Sequence, residues 1–196
     1  MWPEPIELRG AHATLKPLAA EHLDGLIDAV RDGELWRLWY TSIPSPERMG
    51  DGIERRLGLQ ARGSMLPFTV FDAADRIVGM TTYMNIDALN KRVEIGSTWY
   101  ANSVQRSPLN TECKLMLLAQ AFDVLGCIAV EFRTHRLNLQ SRRAIERLGA
   151  QLDGVLRCHI RAADGTLRDT AVYSITTNEW PVVKSHLSWQ LERQRD

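Results

Sequence analysis

Residues 94–125 read EIGSTWYANSVQRSPLNTECKLMLLAQAFDVL. The opening third has the character of a strand: Val93, Ile95, Trp99 and Tyr100 are apolar or aromatic, and Gly96 interrupts them. Glycine inside a strand marks a bulge or a place where another backbone or a ligand comes close. A polar loop follows over 102–110. Leu115, Leu118, Phe122 and Leu125 then recur at spacings of three and four, which makes one helical stripe. Asn110 or Thr111 is expected to cap the first turn, and Gly126 stands where a helix end favours positive φ. The unit is strand, loop, helix, with the helix N-terminus leaving the loop.

The first N–H groups of a helix have no intrahelical partner and carry the positive end of its dipole, so they suit an anion. Residues 105–111 supply such groups, Pro108 excepted, while Arg106 and Lys114 supply charge. Glu112, in the first turn, would oppose a phosphate. An ordinary strand-to-helix connection of an α/β domain has the same local features, so both readings stay open on this stretch alone.

Working outward, 196 residues suit one domain, 1–196, with a sizeable core. Apolar residues make up 44% and charged residues 24%, as in a soluble globular chain. Lys+Arg and Asp+Glu are equal at 24 each, so bulk charge favours neither nucleic acid nor membrane. The three cysteines, Cys113, Cys127 and Cys158, are odd in number and form no C-x-x-C pair. They read as small core residues in a reducing compartment, with no metal site and no disulfide frame. The opening MWPEPIELRG lacks the apolar region of a signal peptide, and no apolar run reaches membrane-spanning length. A cytoplasmic location is expected.

Strands are expected over 13–18, 67–72, 77–86, 92–100, 128–134, 151–161 and 166–176. Helices are expected over 19–30, from Pro46 to about 62 with Ser45 as cap and Gly63 as stop, over 139–148 with Asn138 as cap, and over 179–193. Asp164-Gly165 signals a hairpin between the last two strands. This order describes an α/β (α+β) fold: a mixed, mostly antiparallel seven-stranded sheet flanked by helices, with 92–100 and 128–134 as a central parallel pair. Neither the Gly-rich fingerprint of a Rossmann domain nor that of a P-loop is present.

The stretches WYANSVQRSPLNTECKLMLLAQAF, RLNLQSRRAIERLGAQLDGVLR and DGTLRDTAVYSITTNEWP, within 99–181, together resemble the GNAT N-acetyltransferase superfamily, most closely its ribosomal-protein-alanine branch (RimJ/RimL type). The upstream elements fit the family order, so essentially the whole chain is covered. The resemblance implies acetyl-coenzyme A as donor, no metal, a primary amine as acceptor and direct transfer in a ternary complex. The acceptor is a protein N-terminus or a small amine, and a homodimer is left open. The family's pyrophosphate loop, Gln/Arg-x-x-Gly-x-Gly/Ala, falls on Gln105, Arg106, Ser107, Pro108, Leu109 and Asn110, so both glycines are replaced. Pro108 also removes one N–H donor. With Tyr100, Thr111 and Lys114, these residues are the expected coenzyme A wall.

By the same resemblance Asn138 approaches the pantetheine arm. Relatives place a Tyr seven positions later as the acid for the departing thiolate, and Ile145 stands there; in the ribosomal branch a Ser three positions after the Asn takes that role, and Ser141 matches it. Arg142 and Arg143, with Arg136, are placed to meet the nucleotide phosphates, or else form a solvated helix face. An alkylammonium must lose a proton before it attacks a thioester. Glu94, on the strand beside the cofactor, is the expected base, directly or through water, with His159 as runner-up. Trp36, Trp39, Tyr40 and Trp99 either line the acceptor cleft or serve as core or dimer contacts. A non-catalytic coenzyme A-binding or sensor module of the same fold is the competing reading, since both loop glycines and the Tyr are missing.

Overall fold

A computed structural model describes residues 2–162 and 164–193. Among the described residues, alternating and doubly apolar segments pair into one sheet of eight strands, ordered β1-β2-β3-β4-β5-β6-β8-β7. The strands are β1 (Leu8–Arg9), β2 (Ala13–Pro17), β3 (Met65–Asp72), β4 (Ile77–Asp87), β5 (Arg92–Tyr100), β6 (Ala129–His135), β7 (Gln151–Arg161) and β8 (Leu167–Thr176). The seven expected strands are all present, and the two residues of β1 add an edge beside β2. Every neighbouring pair is antiparallel except β5–β6, whose parallel register covers only Arg92↔Ala129, Val93↔Val130 and Glu94↔Glu131. Beyond Glu94 the two strands share no further register. The hydrogen-bond ladder of the sheet is therefore interrupted at its centre.

Among the described residues, five α-helices cover the sheet: α1 (Leu23–Arg31), α2 (Met49–Ala61), α3 (Leu109–Ala119), α4 (Leu139–Glu146) and α5 (Trp180–Glu192). Their apolar stripes divide the core in two. Leu109, Cys113, Leu117 and Leu118 of α3, Ile145 of α4 and Val183 and Leu187 of α5 pack on one face of the sheet against Val93, Ile95, Phe132 and Tyr173. Leu26 and Val30 of α1 and Met49 and Ile53 of α2 pack with Met80 and Trp99. Side chains alternate along a strand, so Glu94, between Val93 and Ile95, is directed away from the α3 face.

Three local expectations are corrected. Helix α3 starts earlier than a cap at Asn110 or Thr111 requires: its capping position is Pro108, and the Leu109 N–H donates to the Ser107 hydroxyl at 3.3 Å. Its last turn widens into a π-helical stretch over Gln120–Val124, where Asp123 accepts from Trp180 Nε1 and Lys184, both at 2.7 Å. Ser45 does not cap α2. It precedes a 3₁₀ turn, Pro46–Arg48, and its hydroxyl donates to Glu47 at 2.7 Å. Of the cysteines only Cys113 and Cys127 are buried. Cys158 is exposed on the edge strand β7, in a bulge whose backbone reaches φ +50°.

Glu112 is the largest departure from expectation. Its carboxylate turns away from the loop and accepts from the N–H groups of Ala11, His12 and Ala13 at 2.8, 2.6 and 2.8 Å. Gly10 permits this, because a Cβ there would meet the Glu112 carboxyl carbon at 2.3 Å. The negative charge expected at the loop instead fastens the start of β2 to α3.

Candidate active site

Where β5 and β6 part, a cavity of about 840 Å³ opens through the sheet. Its wall on the α3 side is built from residues 104–107, from Asn110 and Lys114 of α3, and from Ser141 and Ile145 of α4. Its wall on the α2 side contains Arg56, Glu94, Trp99, His135, His159, Arg168 and the segment 40–43. A molecule lying in the cavity thus touches both layers of the protein.

The bulge in β5 lets one strand serve both walls. Between the register pairs Thr82↔Gly96 and Met80↔Trp99, two residues of β5 face one of β4, and Ser97 takes up the strain at φ +48°. Gly96 is needed for close approach: a Cβ would stand 2.8 Å from a Glu94 carboxylate oxygen and 2.7 Å from Met84 Sδ. Glu94 is only 5% exposed. It accepts from Asn85 Nδ2 at 2.5 Å and lies 3.6 Å from Arg133 Nε. Burial raises its pKa above the ordinary carboxylate range, and the Asn85 hydrogen bond and the Arg133 charge oppose the rise. Arg133 is shared, since it also binds Glu131 at 2.8 Å, so it neutralises Glu94 only in part.

The α3-side wall begins in the loop. Gln105 donates from Nε2 to the Tyr100 carbonyl at 3.1 Å, and the Ser107 hydroxyl donates to the Val104 carbonyl at 2.6 Å, which holds the loop against β5. Arg106 occupies the left-handed region at φ +60°. Lys114 is buried beneath α3 and donates to the hydroxyls of Thr98 at 2.8 Å and Thr81 at 3.3 Å. Burial brings its ammonium down to about 8. Asn138 caps α4, accepting from the Ser141 N–H at 3.0 Å, so cap and helix turn set Ser141 at the cavity wall. On the far wall His159 Nδ1 pairs with the Thr170 hydroxyl at 3.1 Å.

Of the residues expected at the site, Glu94, Tyr100, Gln105, Arg106, Ser107, Asn110, Lys114, Asn138, Ser141 and His159 line this one cavity. Four do not. Leu109 is buried in the core. Thr111 accepts from Arg147 Nη1 at 3.1 Å. Arg142 is drawn to the Tyr173 hydroxyl at 2.7 Å and Arg143 lies outside the cavity. Tyr100 lines the wall, and its buried hydroxyl lies beside the Cys113 thiol. Of the aromatics, Tyr40 and Trp99 reach the wall; Trp39 stacks edge-on with Tyr40 and His135 at 5.4 and 5.1 Å between ring centroids. Sequence reading missed Arg56, Arg133, His135 and Arg168. A charge one helical turn after Ile53, on the buried stripe of α2, was the available signal for Arg56.

Among the described residues no group of three or more His, Cys, Asp or Glu could hold a metal ion, and no helix is long and apolar enough to cross a membrane.

An acetyltransferase (GNAT) domain family matches residues 12–151. A GCN5-related N-acetyltransferase from Brucella melitensis is 31% identical, with a TM-score of 0.86 and coverage of 96% of this chain and 86% of that one. A proposed acetyltransferase from T. thermophilus is 33% identical, with a TM-score of 0.85 and coverage of 97% and 100%. Mycobacterium smegmatis RimJ, solved with CoA-disulfide, shares the fold at 22% identity and a TM-score of 0.78, covering 96% and 95%. No curated protein matches the sequence. A sheet parted at its one parallel pair, a loop-to-helix turn beside that gap, and a family match spanning most of the chain agree: the protein belongs to the GNAT acetyltransferase family.

Proposed function

We propose that the protein transfers the acetyl group of acetyl-coenzyme A directly to a primary amine bound on the opposite wall of the same cavity. The observation that carries this reading is Glu94: a buried carboxylate with a raised pKa, at the point where the parallel strands separate. A general base works best when its pKa approaches the working pH.

The residues present suit coenzyme A. The first turn of α3 offers N–H groups lacking intrahelical acceptors, and Arg106 and Lys114 add positive charge on the same wall. With Glu112 turned aside, no carboxylate among the described residues opposes a pyrophosphate there. Bound acetyl-coenzyme A supplies an activated thioester. Glu94 takes the proton of the ammonium, directly or through one water, and the hydroxyl of Ser141 donates to the departing sulfur. Asn138 positions Ser141 through its cap, and His159 stands by as a second proton acceptor. Both a protein N-terminus and a small amine satisfy this chemistry, in a protein working in the cytoplasm.

Calorimetric titration with acetyl-coenzyme A, followed by thiol release over a panel of amines and peptides, tests the proposal. Micromolar binding with amine-dependent release is expected. Binding without release over the whole panel would instead favour a coenzyme A sensor.

A further inference from the structure

The α2-side wall carries buried donors that no described residue satisfies. Arg56 lies on the buried face of α2 with Met49, Gly52 and Ile53 and is 3% exposed. Its Nη1 donates to the Gly52 carbonyl of its own helix at 3.1 Å, while its Nε is buried without a partner. Among the described residues no carboxylate forms an ion pair with it. Burial and the neighbouring Arg55 lower it to about 10, so it stays charged at neutral pH. A buried charge without a counter-ion is among the most costly groups a fold can hold, and an apolar side chain at this position would complete the α2 stripe.

Two more donors share the cavity: Trp99 Nε1 and Arg168 Nε are both buried without partners. Indole and guanidinium can donate but not accept, so the missing partner must be an acceptor, best an anion. The balance of charge agrees. Among the described residues, Glu94 is the one acidic side chain on the cavity wall, against Arg56, Arg106, Lys114, Arg133, Arg147 and Arg168. Arg133 is occupied by Glu131 and Glu94, and Arg168 also feels the Glu94 charge, which leaves Arg56 as the cation on the α2-side wall without a carboxylate among the described residues.

We infer that the acceptor is a small amine bearing a carboxylate, an amino acid in the broad sense, whose carboxylate binds Arg56 with help from Trp99 and Arg168 while its amine faces Glu94. This rests on the transferase reading above. It separates the substrate from polyamines, whose second ammonium would meet Arg56 as a like charge.

The test is thiol release from acetyl-coenzyme A with matched pairs of amines: the standard amino acids and ω-amino acids against their carboxamides, with polyamines and neutral dipeptide amides as further arms. At least one carboxylate is expected to exceed its own amide by about tenfold or more in kcat/KM, on the order expected of a charge-assisted hydrogen bond. Arg56→Gln is expected to lower the carboxylate kcat/KM by roughly a hundredfold, mainly through KM, and to bring the carboxylate-to-amide ratio towards one, with Arg56→Lys keeping part of it. If Arg56→Gln does not fold, as judged by its melting curve, the same ratio is read in Arg168→Gln. Amides, polyamines or dipeptide amides used as well as carboxylates would overturn the inference, as would an unchanged ratio in the variants. Silence in every arm also overturns it, and calorimetric binding of acetyl-coenzyme A by the same preparation then tells whether the transferase reading falls with it.

Discussion

In the proposed mechanism Glu94 sets stability against chemistry within one side chain. Its folded pKa is raised, chiefly by burial, so between the unfolded value and the folded one the native state binds more protons than the unfolded chain. Stability is therefore fully present below the unfolded carboxylate pKa and lost as pH rises through the folded one. Glu94→Gln keeps an oxygen for Asn85 and removes the buried charge. It is expected to melt higher than the wild type at about pH 7, with the gain vanishing near about pH 4, where the wild-type carboxylate is protonated. The same variant is expected to lose on the order of a hundredfold in rate at neutral pH. In the wild type the acidic limb of kcat/KM should stand above the ordinary carboxylate range, because the base must be ionised to act. A pH–rate profile of the two proteins checks both, and an unchanged limb in Glu94→Gln assigns the proton to another group.

At the scale of the element, two helix starts are held by side chains with opposite tasks. Helix α3 keeps its N-terminus open toward the cavity by sending its first-turn carboxylate, Glu112, backward to the three N–H groups at the start of β2. Glu112→Ala leaves those groups under-satisfied and is expected to cost about 2–3 kcal/mol, read as a fall in melting temperature. Gly10→Ala should be destabilising for the same reason, since its Cβ would displace the carboxylate. Helix α4 is capped instead by Asn138. Asn138→Ala is expected to cost about 1 kcal/mol of stability and to slow transfer further, because Ser141 is positioned by that first turn. Kinetics unchanged beyond the stability loss would take Asn138 out of the mechanism.

For the whole molecule, the parting of β5 and β6 leaves the centre of the sheet without cross-strand hydrogen bonds beyond Glu94 and Glu131. A ligand wedged there supplies contacts the fold lacks. Acetyl-coenzyme A at about one hundred times its Kd is expected to raise stability by about 2.7 kcal/mol. Hydrogen exchange should show the new protection in residues 97–110 and along β6, with little change in β2 and β3.

Much of this was legible in the chain itself. The succession of strands and helices along the chain, the parallel pair, the helix stripes and the stops at Gly63 and Gly126 follow from period, branching, turn chemistry and the handedness of crossovers. The loop at 105–110 was legible as part of a strand–loop–helix unit, whereas Glu94, Asn138 and Ser141 were named as site residues through the resemblance to the GNAT family. Tertiary structure alone decided the rest. Pairings far apart in the chain turned Glu112 into a clasp on β2 and drew Arg142 to the Tyr173 hydroxyl. They also brought Arg56, from a helix well before Glu94 in the chain, to the wall that Glu94 faces. Periodicity reports which side chains are buried, but not which polar groups arrive together once burial is complete, and the α2-side wall of this cavity is made of such groups.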